Sequence, residues 1–246
     1  MSKLTIAWLS AGVSSFIAAY LLKDEIDEFY YIDIADQHPD SMRFIKDCEK
    51  LLGKKINKLQ SMTYKSVDDA CCAGGFIRNA RTGFAYCTEY LKKRVRKEQF
   101  EYYHKNDEIT YVWGMDCKPH ERERAQRIIE MQPEFNHRFP LIEKELTKQD
   151  CHAMSRRLGL KRPKMYDLGY QNNNCIGCVK GGMGYWNMIR RDFPEVFESR
   201  AKLERKLNCR CLNECFLDEL EPDRGNIEDE IMEDCGIFCE INLKDF

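Results

Sequence analysis

The sequence predicts an α/β protein with a doubly wound, mainly parallel sheet and a Cys-rich C-terminal appendage. Three observations carry this. Runs short enough for single buried strands recur at Leu4–Leu9, Phe29–Ile34, Lys54–Leu59 and Ile109–Gly114. Small or polar turns and then apolar residues at helical spacing follow the first, second and fourth of them. Repetition of strand, turn and helix sets parallel strands side by side beneath packed helices, a Rossmann-like arrangement. Beyond residue 140 the pattern changes to helical segments and cysteine-bearing loops. The division expected is an α/β domain over 1–140 and a helical, Cys-rich region with an acidic tail over 141–246.

The first strand runs into Ser10-Ala11-Gly12-Val13-Ser14-Ser15, and Phe16, Ile17, Tyr20 and Leu21 then share a helix face. Strand, small-residue turn and helix form an anion-binding arrangement. Small residues let the backbone approach, and the N–H groups of the first helical turn lack internal partners. A Ser-rich turn with no phosphate in it is the plain alternative. A signal peptide fits poorly, because three serines and a glycine interrupt the apolar stretch and no A-x-A site follows. Asp33 lies at the end of the second strand, where ligands of doubly wound sheets sit, or where a turn needs a cap. A helix over 40–52 ends at Gly53. Vicinal Cys71 and Cys72 read as buried small residues near a helix end, and Asn79–Gly83 as an exposed turn.

The segment from Cys87 to Lys97 is basic, as a solvated helix face would be. After the strand at 109–114, Glu121 and Arg124 lie three apart on one side of a helix, where a surface ion pair is the plain reading. Pro140 leads into a helix reaching Leu158, and another helical region runs from Arg190 to Leu207.

Thirteen cysteines at irregular spacing, without a convincing secretory signal, suit a reducing compartment and predict a cytoplasmic protein with no membrane association. The net charge of −2 hides an asymmetry. Residues 213–246 hold twelve Asp and Glu against two Lys and Arg, so the remainder is basic. A basic body suits a nucleotide or nucleic acid, or is simply solvated. Cys175-x-x-Cys178 sits in an Asn- and Gly-rich loop, as a metal knuckle or redox pair would. A four-thiolate zinc or iron–sulfur site needs two further ligands. Cys235 and Cys239, flanking a glycine-bearing loop, are preferred over Cys209, Cys211 and Cys215; a competing set brings in Cys87.

The ordered set of motifs resembles the adenine-nucleotide α-hydrolase superfamily, the PP-loop ATP pyrophosphatases, and within it the phosphoadenosine-phosphosulfate-reductase-like family. Carrying it are Ser10–Ser15, Tyr31-Ile32-Asp33 through His38-Pro39-Asp40, Cys87-Thr88 with Leu91-Lys92, Gly114 through Glu121-x-x-Arg124, and Asn174 through Gly182. The resemblance implies that Ser10, Ala11, Gly12, Val13, Ser14, Ser15, Asp33 and Gly114 bind ATP or another adenine nucleotide with Mg2+. It implies that Cys87, Lys92 and Arg124 act on the substrate. Two departures fall in the loop: Ser14 replaces its usual aspartate and Ala11 its first glycine. Thr88 stands where cluster-binding reductases have a second cysteine.

The activity implied is adenylation of a substrate oxygen for sulfur or nitrogen transfer, for instance to a nucleobase or nucleic acid. Cys87 or a sulfur-donor protein would be the carrier. One alternative is reduction of an adenylyl-linked sulfate, since Asp234-Cys235-Gly236-Ile237-Phe238 faintly resembles the ending of those reductases. The other is nucleotide or nucleic-acid binding without catalysis.

Overall fold

The computed structural model describes residues 2–78, 84–230 and 232. In chain order the elements are β1 (Lys3–Leu9), α1 (Val13–Leu21), β2 (Glu28–Ile32), α2 (Asp40–Leu52), β3 (Ile56–Leu59) and α3 (Val67–Gly74). A helical run over 86–101 (α4) follows, then β4 (Glu108–Val112), α5 (Pro119–Met131), β5 (Asn136–Arg138), α6 (Pro140–Glu143) and α7 (Lys148–Arg157). The last are α8 (Lys164–Asp167), α9 (Met183–Asp192) and α10 (Pro194–Leu207).

The chain forms two compact units that interleave along the sequence. The first comprises Met1–Asp33, Pro39–Leu59 and Gln99–Leu168; the second comprises Ile34–His38, Gln60–Glu98 and Gly169–Phe246. The boundary expected at 140 therefore falls inside the first unit, and the region after it is shared between the two. The second unit groups the described residues from Gly169 onward with α3 and most of α4.

In the first unit all five strands are parallel, in the order β3-β2-β1-β4-β5, with helices on both sides. The order reverses at β1: the chain moves outward through β2 and β3, then returns to place β4 on the other flank of β1. A doubly wound sheet opens its ligand crevice at that reversal, beyond the carboxyl ends of the two strands. The expected parallel α/β fold is present. Ala7 and Leu9 of β1, the apolar face of α1, and Phe44, Ile45 and Cys48 of α2 share one buried cluster with Leu141 and Cys151.

Two helical expectations need correction. The stretch from Pro140 to Leu158 is not one helix. α6 stops at Glu143, Glu145 takes a left-handed backbone (φ 53), and Thr147 with Asp150 forms a capping box that starts α7. The region 190–207 is likewise two helices, α9 and α10, because Pro194 has no N–H to continue α9 and instead opens the next helix. The turn expected at Asn79–Gly83 lies outside the described residues.

Candidate active site

One candidate site lies within the first unit and is the loop between β1 and α1. The Ser15 hydroxyl donates to the Gly12 carbonyl (2.9 Å) and accepts from the Ser10 N–H (3.1 Å) and the Ser10 hydroxyl (3.1 Å). These bonds fold the loop back on the start of α1. Ala11 reaches the left-handed region (φ 59) and Gly12 is extended as the N-cap. The Val13 N–H points to the Tyr166 hydroxyl at 3.4 Å, while the Ser14 and Ser15 N–H groups have no acceptor among the described residues. Open amides at a helix start are what an anion takes up.

Gly114, two residues beyond β4, explains why a glycine is needed there. A Cβ on it would stand 2.7 Å from the Ser15 nitrogen and closer still to its Cα. The ends of β1 and β4 thus press together at the loop. Asp33 follows β2, with its N–H bonded to the Leu59 carbonyl and its carboxylate paired to Lys58 at 3.2 Å. Arg124 and Glu121 lie on the first turns of α5, 3.4 Å apart, and both are buried. The surface ion pair that was one reading of this spacing is therefore a buried one.

A separate candidate site lies within the second unit. Cys87, Cys175 and Cys178 line one small cavity with Thr88 and the buried Lys92, against apolar walls from Ile34, Val67, Leu91 and Val179. The Thr88 hydroxyl is buried and has no hydrogen-bond partner among the described residues. Residues 89–93 of α4 are π-helical, a widened turn common at functional sites. The Cys175–Cys178 loop is held from within. The Tyr185 hydroxyl accepts from the Cys178 N–H (2.8 Å) and donates to the Cys175 carbonyl (3.1 Å). The Ile176 N–H donates to the Asp36 carbonyl (2.8 Å), and Gly177 turns through φ 69. The Asp36 carboxylate in turn accepts from the Val67 N–H (2.7 Å) and pairs with the buried Arg200; burial raises its pKa.

Thiols around an apolar cavity suit a thiophilic metal or an iron–sulfur cluster. Among the described residues, however, no group of three or more His, Cys, Asp or Glu side chains is arranged to hold a metal ion. Cys235 and Cys239 lie outside the described residues. The Asn172 side-chain amide donates to the Met232 carbonyl, which ties the chain just ahead of Cys235 to the loop that carries Cys175. The rival donors are otherwise engaged: Cys209 accepts from the Ile77 N–H, and Cys211 is buried beside Glu204. Cys71 is buried as expected, but Cys72 is exposed, 3.6 Å from the Lys206 ammonium.

Sequence reasoning missed Tyr185 and Asp36, which act through contacts remote in sequence.

No family model matches the chain. It is 24% identical over 210 residues to a protein of Methanocaldococcus jannaschii that is named only as uncharacterized. The match covers 80% of this chain and 40% of that protein, so the chain spans less than half the relative's length. Among the described residues, no helix is long and apolar enough to cross a membrane.

Proposed function

We propose that the chain is an ATP pyrophosphatase-type enzyme of the phosphoadenosine-phosphosulfate-reductase-like kind, which adenylates a substrate oxygen so that sulfur or nitrogen can displace AMP. One observation carries the reading: the Ser10–Ser15 loop sits at the reversal point of a parallel sheet and leaves the Ser14 and Ser15 amides open. Pyrophosphate held there leaves with its charge stabilised by fixed N–H dipoles. Asp33 offers carboxylate oxygens to a ribose or base, and Arg124 a guanidinium to an anionic substrate.

The cavity of Cys87, Cys175 and Cys178 favours sulfur over nitrogen as the incoming atom. Cys175 and Cys178 would hold zinc or an iron–sulfur cluster, with the remaining thiolates from Cys87, Cys235 or Cys239. Such a group, held by those thiolates, would supply thiophilic binding of sulfur. Lys92 lies on the same cavity wall and could meet an anionic group there. Partners in this reading are an adenine nucleotide, a nucleobase or nucleic acid as acceptor, and a sulfur-donor protein.

Calorimetry of ATP binding to Gly12→Val tests the loop, because a branched side chain at the N-cap blocks the approach of phosphate. Loss of binding in a protein with an unchanged melting curve is expected; unchanged affinity rules the loop out. Release of AMP and pyrophosphate in the presence of an acceptor then separates pyrophosphatase chemistry from sulfate reduction, which consumes no ATP, and from plain binding.

A further inference from the structure

Thr88 lies in the helical run α4, is 3% exposed, and its hydroxyl has no hydrogen-bond partner among the described residues. A threonine in a helix can return its hydroxyl to a carbonyl three or four residues earlier. The Thr88 hydroxyl does not, and the widened turn at 89–93 begins directly after it. A buried hydroxyl left without a partner is costly, and a ligand from outside the chain would satisfy it.

Thr88 also lines the cavity of Cys87, Cys175 and Cys178, whose volume of about 20 Å³ is that of one water-sized occupant. Water fits the size but not the lining. A buried water makes about three hydrogen bonds, whereas the wall side chains include Ile34, Val67, Leu91 and Val179, and thiols are weak donors and acceptors. Such walls suit a soft, polarisable atom that takes one good hydrogen bond and many dispersion contacts. Sulfur is such an atom. Lys92 stands on the same wall, and a cation is what an anion needs where water is excluded.

We propose that this cavity binds one hydrosulfide ion, whose sulfur accepts from the Thr88 hydroxyl. Inorganic sulfide, rather than a donor protein, is then the sulfur source. As a source it rests on the sulfur-transfer reading above; as a binding site it does not, and no ATP enters the test.

The protein as purified is titrated anaerobically with sodium sulfide, and the methyl NMR signals of Leu91 and Val179 on the cavity wall are followed. Both are expected to shift and saturate with sulfide, and to stay in place with sodium chloride at equal ionic strength. Thr88→Val keeps the shape without the hydroxyl. It is expected to fold and to bind sulfide about tenfold or more weakly. Thr88→Ser keeps the hydroxyl and is expected to bind as the wild type does. Unmoved signals in the wild type overturn the proposal, as does undiminished affinity in Thr88→Val. Equal loss in both variants assigns the effect to packing and overturns the role of the hydroxyl. Equal shifts with chloride make the cavity a general anion site, and xenon that moves both signals where sulfide moves neither makes it a dry void; either overturns the proposal. A mass gain of one sulfur on Cys87, Cys175 or Cys178, reversed by a thiol reductant, shows a covalent carrier and overturns the free ligand. None of these outcomes bears on the Ser10–Ser15 loop, which the ATP calorimetry tests.

Discussion

Ala11 shows how the loop's conformation is maintained at the scale of one residue. A left-handed backbone costs a non-glycine residue about 1–2 kcal/mol, while full burial of the methyl group returns about 0.8 kcal/mol. The two nearly offset. Ala11→Gly is therefore expected to leave stability in urea within about 1 kcal/mol of the wild type. Ala11→Val adds a branched side chain in a strained, filled position and is expected to cost about 2–3 kcal/mol. Equal midpoints for the alanine and valine proteins would show that the backbone is not strained there. The small residues of this loop were readable because strand, turn and helix follow one another in sequence. The close approach of Gly114 to Ser15 was not, since the two are remote in sequence and meet only through the β1–β4 pairing.

At the scale of elements, Tyr185 of α9 is the clamp on the Cys175–Cys178 loop. Tyr185→Phe leaves the Cys178 N–H and the Cys175 carbonyl without their buried partner, and is expected to destabilise the protein by about 1–3 kcal/mol in urea. It should also raise hydrogen exchange at residues 175–178 while leaving β1 protected. Exchange unchanged at the loop would show that Gly177 and Asp36 suffice. The Cys-x-x-Cys spacing was plain in the sequence, but its clamp was not, because an aromatic at helical spacing reads as core. β5 was invisible for a different reason. Asn-His-Arg has neither alternation nor β-branching, and it becomes a strand only by pairing with Thr110–Val112. The break between α6 and α7 was legible in principle from Thr147-x-x-Asp150, the polar pair that opens the second helix.

For the whole molecule, the buried thiols set the response to alkali. Burial pushes Cys71 and Cys151 up to about 12. Above their ordinary value near 9.0 the unfolded chain releases these protons and the folded chain keeps them. Fewer protons on the unfolded state means that stability falls as pH rises, by about 1.4 kcal/mol per pH unit for each thiol, from pH 9 until about 12. Urea midpoints at pH 8 and pH 10.5 should show the drop, reduced in Cys151→Ser, whose hydroxyl does not titrate there. A flat profile would contradict the burial of these thiols. The sequence was a fair guide to the parallel sheet because its strands are local apolar runs, and a poor one to domain limits because the units interleave.

That interleaving bears on how the chain is made. The second unit receives residues 34–38 and 60–98 early in synthesis, and its remainder begins only at Gly169. Seventy residues, 99 to 168, must leave the ribosome in between, which takes roughly 4–14 s at about 5–20 residues per second. During that interval Leu91 on α4 waits for Cys175 and Val179 of its own unit, while the first unit gains β4 and β5 and so completes its sheet. A nascent chain halted near residue 168 would therefore hold a finished sheet beside a helix whose apolar face still has to be shielded from its neighbours on the polysome.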